Sequence, residues 1–583
     1  MGVTVDLTGA AAGIGGDAAG DTYVGIENVV GSAVADLFYA SNDVNTFTGG
    51  GGVDTVDYSK ANDGIGVTIN LKPTVGTGSG GFAAGDTFNG IQNITGTSYN
   101  DIFFAGTAAN KFTGGAGSDT VNYSLSAAGV TVDLTGATAG IGGDAAGDTY
   151  VGIENVVGST GVDLFYASND VNSFTGGGGV DTVDYSKAND GNGVTINLKT
   201  TIGTGTGGFA AGDTFTDIQN ITGTSYNDVF YASALANKFT GGAGSDTVNY
   251  SLSTAGVTVD LTGATAGVGG DAAGDTYVGI ENVVGTTLAD IFYGSTDVNS
   301  FTGNGGIDTV DYSKATAGVI ASLAAGTGTG GFANGDTYNG ITNLVGSAYV
   351  DILTGKIGGG STLTGGAMGD TLSGYAGSLN NTVNYAGSAA VQVNLHTGTG
   401  NTGGDAAGDI LNNIQNIIGT SNGDLFYASL DANNFNGGGG TDTVSYFYST
   451  SAVTVNLNTT AAATGGFAAG DTFLNAGAVS ITNLIGSIYN DNLTGKAGGG
   501  STLTGGAGAD VLTGINSGNT ASYIGSTAVS VDLFSGTATG GDAQGDTLCN
   551  IQNVWGSSGD DVFFGSAATN VFTGGGGVDT VSY

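Results

Sequence analysis

The chain has 583 residues, of which 116 are Gly and one is Pro, with 50 acidic against nine basic side chains and a net charge of −41. Collagen is excluded by the missing proline and three-residue period, a plain disordered linker by the 39% hydrophobic content, and binding to nucleic acid or anionic lipid by the charge. A compact body this acidic repels itself unless cations are bound, and with all nine basic residues being Lys the implied counter-ion is a metal.

In chain order the first element is a short alternating strand, "GVTVDL" at 2–7. It returns at 66–71, 129–134, 193–198 and 256–261, and in weaker form at 318–323, 391–395, 453–457 and 529–533. Nine repeats result, bounded at 3–66, 67–129, 130–193, 194–256, 257–318, 319–390, 391–452, 453–528 and 529–583. After the strand each repeat carries a turn such as "GGDAAGDT" (15–22), then "GIENVVGS" (25–32), then a tail such as "DLFYASNDVNTFTGGGGVDTVDYS" (36–59). A period of this length with no 3.6-residue pattern marks a solenoid rather than separate domains. The expected fold is all-β, a parallel β-roll or β-helix solenoid of nine repeats of about 62–76 residues, together one continuous stack.

The tail has an inner period of nine: Asp36, Asn45 and Asp54 in the first repeat, then Asp101, Asn110 and Asp119 in the second. The acidic pairs continue as Asp163 and Asp181, Asp228 and Asp246, Asp290 and Asp308, Asp424 and Asp442, and Asp561 and Asp579. In repeats six and eight Asp351 and Asp370, and Asp491 and Asp510, stand 19 apart around an inserted "GGGSTL". A nine-residue step fits a tight turn of about five residues and a strand of about four. In "DTVDY", Val56 and Tyr58 then face the core with the Phe side chains, and Thr55 and Asp57 face out.

Residues 49–57 read G-G-x-G-x-D-x-U-x, the calcium-binding nonapeptide. The six-residue core recurs intact at 114–119, 176–181, 241–246, 437–442, 505–510 and 574–579, while "GNGGID" (303–308) and "GGAMGD" (365–370) each lose one Gly. Calcium takes six to eight oxygens. Glycines at positive φ aim main-chain carbonyls at one point, here those of Gly49 to Gly52, Gly49 and Gly51 among them, and the Asp adds charge. Turns 18 residues apart should stack, so Asp36 and Asp54 are expected to share an ion, as are the other pairs, with the sites along one edge. The neutral Asn45 on the opposite edge suggests a weak or empty site.

The nonapeptides, the "GDTYVGIENVVGS" segment (20–32) and the "DTVDYS…GVTVDL" junction resemble the hemolysin-type calcium-binding (RTX) repeat family over essentially the whole chain. That resemblance implies multiple calcium ions, type I export of an unfolded chain, and folding outside the cell. Only one turn in three keeps its full glycines, the others reading like "GSAVAD" (31–36), and the family's C-terminal secretion signal is not visible. The N-terminal "MGVTVDLTG" has no basic segment or apolar run of a Sec signal peptide, and Asp6 breaks a myristoylation pattern.

Catalysis finds no constellation: His396 is the lone histidine, expected at the surface, and Cys549 and Trp555 read as packing residues. The "GG-[D/F]-A-A-G-D" turn carries Asp17, Asp144, Asp271, Asp405 and Asp542 in odd repeats but Phe82, Phe209, Phe332 and Phe467 in even ones. These Phe are candidate contacts between copies, or else tuck over the side of the roll. Asp17 and Asp21 are expected to be solvated turn residues, with a second metal site as the alternative. The expected function is an extracellular, calcium-stabilised structural protein, not an enzyme, whose partner is itself in a filament, sheath or surface layer. A calcium-rigidified adhesin spacer with a cell-surface glycan as possible partner is the alternative, and the tail of an exported enzyme the least favoured.

Overall fold

The computed structural model describes every residue except 476 and 477. It divides into two units, Met1–Leu288 and Ala289–Tyr583. Among the described residues the secondary structure is strands of two to four residues and 3-10 turns of three.

Repeats one and two of the first unit show the pattern. Their strands are β1 (Thr4–Asp6), β2 (Asn28–Val30), β3 (Leu37–Tyr39), β4 (Thr46–Thr48), β5 (Thr55–Asp57), β6 (Thr68–Asn70), β7 (Gly76–Ser79), β8 (Thr87–Asn89), β9 (Asn93–Thr95), β10 (Ile102–Phe104), β11 (Lys111–Thr113) and β12 (Thr120–Asn122). One sheet stacks β1, β3, β5, β9 and β11 in parallel. The facing sheet stacks β2, β4 and β8, then β6, β10 and β12. Between those two groups the antiparallel β7 joins β6 to β8. That hairpin is a departure from a purely parallel roll. It uses "GTGS" (76–79), where the lack of side chains permits close approach: a Cβ on Gly78 would lie 2.5 Å from the Ala83 carbonyl oxygen.

Three-residue strands, rather than the four expected, follow from the composition. In many strands the central residue is apolar and buried and its neighbours are Thr, Asn or Asp, as in Thr55-Val56-Asp57. Phe38, Phe47 and Phe103 are fully buried. Phe38 and Phe47 stack across the roll with centroids 6.0 Å apart, and Phe47 stacks on Phe88 at 5.9 Å. Such pairs contribute about 0.5–1.5 kcal/mol beyond their buried area.

The second unit, taken by itself, repeats these pairings, for example Ile291–Tyr293 with Thr309–Asp311 and the latter with Asn343–Val345. There the "GGGSTL" segments lengthen by one residue the half-turn between the paired aspartates, which holds Thr362–Thr364 and Thr502–Thr504, and repeats six and eight gain a further half-turn after it, with strands Thr382–Asn384 and Thr520–Ser522.

Two expectations change on the surface. Cys549 and Trp555 are exposed rather than packed. Of the even-repeat Phe, Phe82, Phe209 and Phe332 are half-buried, but Phe467 is buried under the exposed His396, which also stacks on Tyr448.

Candidate metal centre

The turn between β4 and β5 is Gly49–Asp54. It lies between the turn 31–36 of the coil before and 90–92 of the coil after, because β2, β4 and β8 stack on one side and β3, β5 and β9 on the other. Asp54 is fully buried. Its Oδ1 accepts the Asp36 N–H at 2.9 Å, and its own N–H donates to Gln92 Oε1 at 2.8 Å. Its Oδ2 has no hydrogen-bond partner. That oxygen faces the main chain of Gly49, where a Cβ would sit 2.2 Å from Asp54 Oδ2 and 2.4 Å from the Gly90 carbonyl oxygen. Gly50 and Gly52 both have φ of 96°, a region that side chains disfavour.

The same orphaned Oδ2 recurs at Asp119, Asp181, Asp246, Asp308, Asp370, Asp442 and Asp510. These are the final aspartates of the motif in repeats two to eight. A buried carboxylate oxygen without a donor is costly, and its commonest remedy is a cation. Burial pushes the carboxyls of Asp119, Asp246, Asp308, Asp370 and Asp442 up to about 7, Asp181 to about 6 and Asp510 to about 8. Neighbouring carboxylates add to this, as Asp101 and Glu154 do beside Asp119. In repeat five Asn304 takes the positive φ of the missing glycine, at 69°, and in repeat six Met368 does so at 76°. Asp579 is exposed because no coil lies beneath it.

The earlier aspartate of each pair has a different setting. Asp36 stacks on Asp54, yet both its carboxylate oxygens have donors. Ser32 N–H reaches Oδ2 at 2.6 Å, and the Ser32 hydroxyl and Val3 N–H reach Oδ1 at 2.9 and 2.7 Å. Asp101, Asp163, Asp228, Asp351, Asp424, Asp491 and Asp561 are capped alike by Thr97, Ser159, Thr224, Ser347, Thr420, Ser487 and Ser557. Asp290 stacks on Asp308, donating its N–H to Oδ1 at 2.9 Å. Asn45 is satisfied within its own turn by Ser41.

The motif turns do not line one edge. Gly49–Asp54 leads from the β4 sheet to the β5 sheet, whereas 114–119 leads back from the β5 sheet through β11 to β12. Successive repeats of the first unit therefore present their motif turns on opposite edges.

The "GG-[D/F]-A-A-G-D" turns beyond the first repeat differ from a solvated turn at one residue. Their last aspartate is buried against a tyrosine. Asp86 Oδ2 accepts the Tyr58 hydroxyl at 2.6 Å and its Oδ1 the Asn45 N–H at 2.6 Å. Tyr123 with Asp148, Tyr185 with Asp213, Tyr250 with Asp275, Tyr312 with Asp336, Tyr385 with Asp409, Tyr446 with Asp471 and Tyr523 with Asp546 repeat the pair. The first aspartate forms ion pairs in repeats three and five, Asp144 with Lys72 and Asp271 with Lys199. In the first repeat Asp17 and Asp21 are exposed. Sequence reasoning missed both the hydroxyl caps and the Tyr–Asp pairs, although the G-[S/T] steps and the Tyr of "DTVDY" recur with the repeat.

Among the described residues no three His, Cys, Asp or Glu side chains converge on one point. A cation at Asp54 must therefore draw most of its oxygens from main-chain carbonyls, which glycine turns supply and which suit calcium rather than zinc. Fold and turns together define a calcium-type parallel β-roll. The family model of the RTX calcium-binding nonapeptide repeat matches residues 23–65, 86–124, 149–190, 219–252 and 552–582. The chain carries RTX calcium-binding nonapeptide repeats, whose cofactor is calcium, as multiple ions. No curated protein matches it.

Proposed function

We propose that this calcium-binding structural repeat protein is exported, folds on meeting calcium outside the cell and assembles with copies of itself. The observation that carries the reading is the array of eight buried motif aspartates with one oxygen unsatisfied in each. Extracellular modules bind calcium at about 10⁻⁴–10⁻³ M, so such an array stays open in a calcium-poor cytosol and closes outside. No helix among the described residues is long and apolar enough to cross a membrane.

The last coil is uncovered. Val581 is 42% exposed there, whereas its counterpart Val56 is fully buried. Another coil of this kind, contributed by a copy or by further chain, would bury it. Electron microscopy of the purified chain with calcium and with EGTA tests the reading. Ordered polymers that need calcium support it; monomers in calcium refute self-assembly. An adhesin reading is favoured by one feature, a groove of about 650 Å³ in the second unit flanked by Phe447, Ile524 and Trp555 over Thr502, Thr504 and Ser522. Binding of the calcium-loaded chain to immobilised glycans would support it.

A further inference from the structure

We propose that calcium occupies only the glycine turns, and that the G-[S/T] turn stacked on each is closed by its own hydroxyl, so that the buried turns take eight ions rather than about twice that number. The inference rests on the calcium reading above and sharpens it to a count and to named carboxylates.

The two turns have the same length, end in the same residue type and stack directly, yet differ at their second position. In 31–36 that position is Ser32, whose N–H and hydroxyl both donate to Asp36. In 49–54 it is Gly50, which offers no hydroxyl, and with φ of 96° its N–H makes no bond to the Asp54 carboxylate. One aspartate is closed by donors and the other is left with a bare oxygen. A cation brought to Asp36 would have to displace charge-assisted bonds at 2.6–2.9 Å. At Asp54 it would satisfy an oxygen that nothing else reaches.

The alternation is enforced sterically. A Cβ on Gly50 would stand 2.3 Å from the Ser32 carbonyl oxygen. On Gly115, Gly242, Gly366, Gly438 and Gly506 it would stand 2.0–2.1 Å from the carbonyls of Thr97, Thr224, Ser347, Thr420 and Ser487. Under these six hydroxyl turns, therefore, a second hydroxyl turn of the same shape does not fit. The hydroxyl turn serves as the ion-free template against which the glycine turn is laid, and its second-residue carbonyl is aimed at the glycine turn. In repeat five this position is Asn304, so a Cβ is accommodated there at φ 69°, and the second residue of the turn again carries no hydroxyl.

The experiment is a calcium count on the full chain after equilibrium dialysis, by atomic emission, with circular dichroism on the same samples. About eight tightly held ions are expected; fifteen or more would overturn the partition. Absence of bound calcium would instead overturn the calcium reading on which it rests. The triple variant Asp54→Asn, Asp181→Asn, Asp442→Asn should lose three ions. The triple variant Asp36→Asn, Asp163→Asn, Asp424→Asn should keep all eight, and loss of three ions there would also overturn the proposal. Should either variant fail to fold, the wild-type count alone decides.

Discussion

Without calcium, this fold should become less stable as pH rises, the reverse of an ordinary carboxylate-stabilised protein. The perturbation is a pH series from 4 to 8 in calcium-free buffer. Burial holds the motif carboxyls of repeats two to eight at about 6 to 8, against 3.8 in an exposed chain. The folded state thus binds more protons than the unfolded state between about pH 4 and 7, so stability falls across that window. A rise from 3.8 to about 7 corresponds to about 4 kcal/mol per carboxyl. Two or three such groups equal the about 5–15 kcal/mol by which ordinary domains are stable. The metal-free roll therefore has to protonate these carboxyls or open. Calcium removes the penalty by stabilising the charged form, so its effect should be large at pH 8 and small at pH 5, with protons released on binding. Urea melts followed by circular dichroism, with and without calcium, read this directly. A calcium-free chain as stable at pH 8 as at pH 5 would refute the reasoning.

Three further outcomes follow from local geometry. Gly50→Ser forces a side chain onto the Ser32 carbonyl at φ 96°; it should cost about 1–3 kcal/mol and abolish one calcium site, as urea melts and the ion count would show. Tyr58→Phe leaves Asp86 Oδ2 buried without its donor and should cost about 1–3 kcal/mol. Because burial already holds Asp86 at about 6, that loss should be larger at pH 8 than at pH 5 in urea melts. Met368→Gly relieves a methionine at φ 76° and should raise stability by about 1 kcal/mol, measured the same way.

Much of the roll is legible in the sequence because its period is short and its core residue is single. Phe38, Phe47 and Val56 recur every nine residues, and a three-residue strand has only one side chain to bury. The motif aspartates are legible for the same reason. Two things were hidden. The edge on which a turn lies depends on the number of half-turns per repeat, and the hairpin at Gly76–Ser79 enters that count without any apolar alternation to announce it. The different roles of Asp36 and Asp54 were hidden because both are Asp at the end of a six-residue turn. What separates them is the residue four positions earlier, Ser32 or Gly50, and its effect is a hydrogen bond visible only in three dimensions.

In repeats two to five the Asp-or-Phe alternation in the "GG-[D/F]-A-A-G-D" turns has an internal correlate. Even repeats place Lys72 and Lys199 after the opening strand, and these reach forward to Asp144 and Asp271 of the following odd repeat. Odd repeats place Thr8, Thr135 and Thr262 at the corresponding position. Each hydroxyl there bonds back to its own strand aspartate, Asp6, Asp133 or Asp260. An even repeat thus receives no cation at this turn, and an aspartate there would add an uncompensated charge to a surface already at −41. Phe in its place removes that charge and half-buries a ring. Over repeats two to five the alternation thus follows the lysine supply; repeats six and eight carry Ala324 and Asn458 where the lysines stand, and Asp405 and Asp542 keep the alternation without that partner.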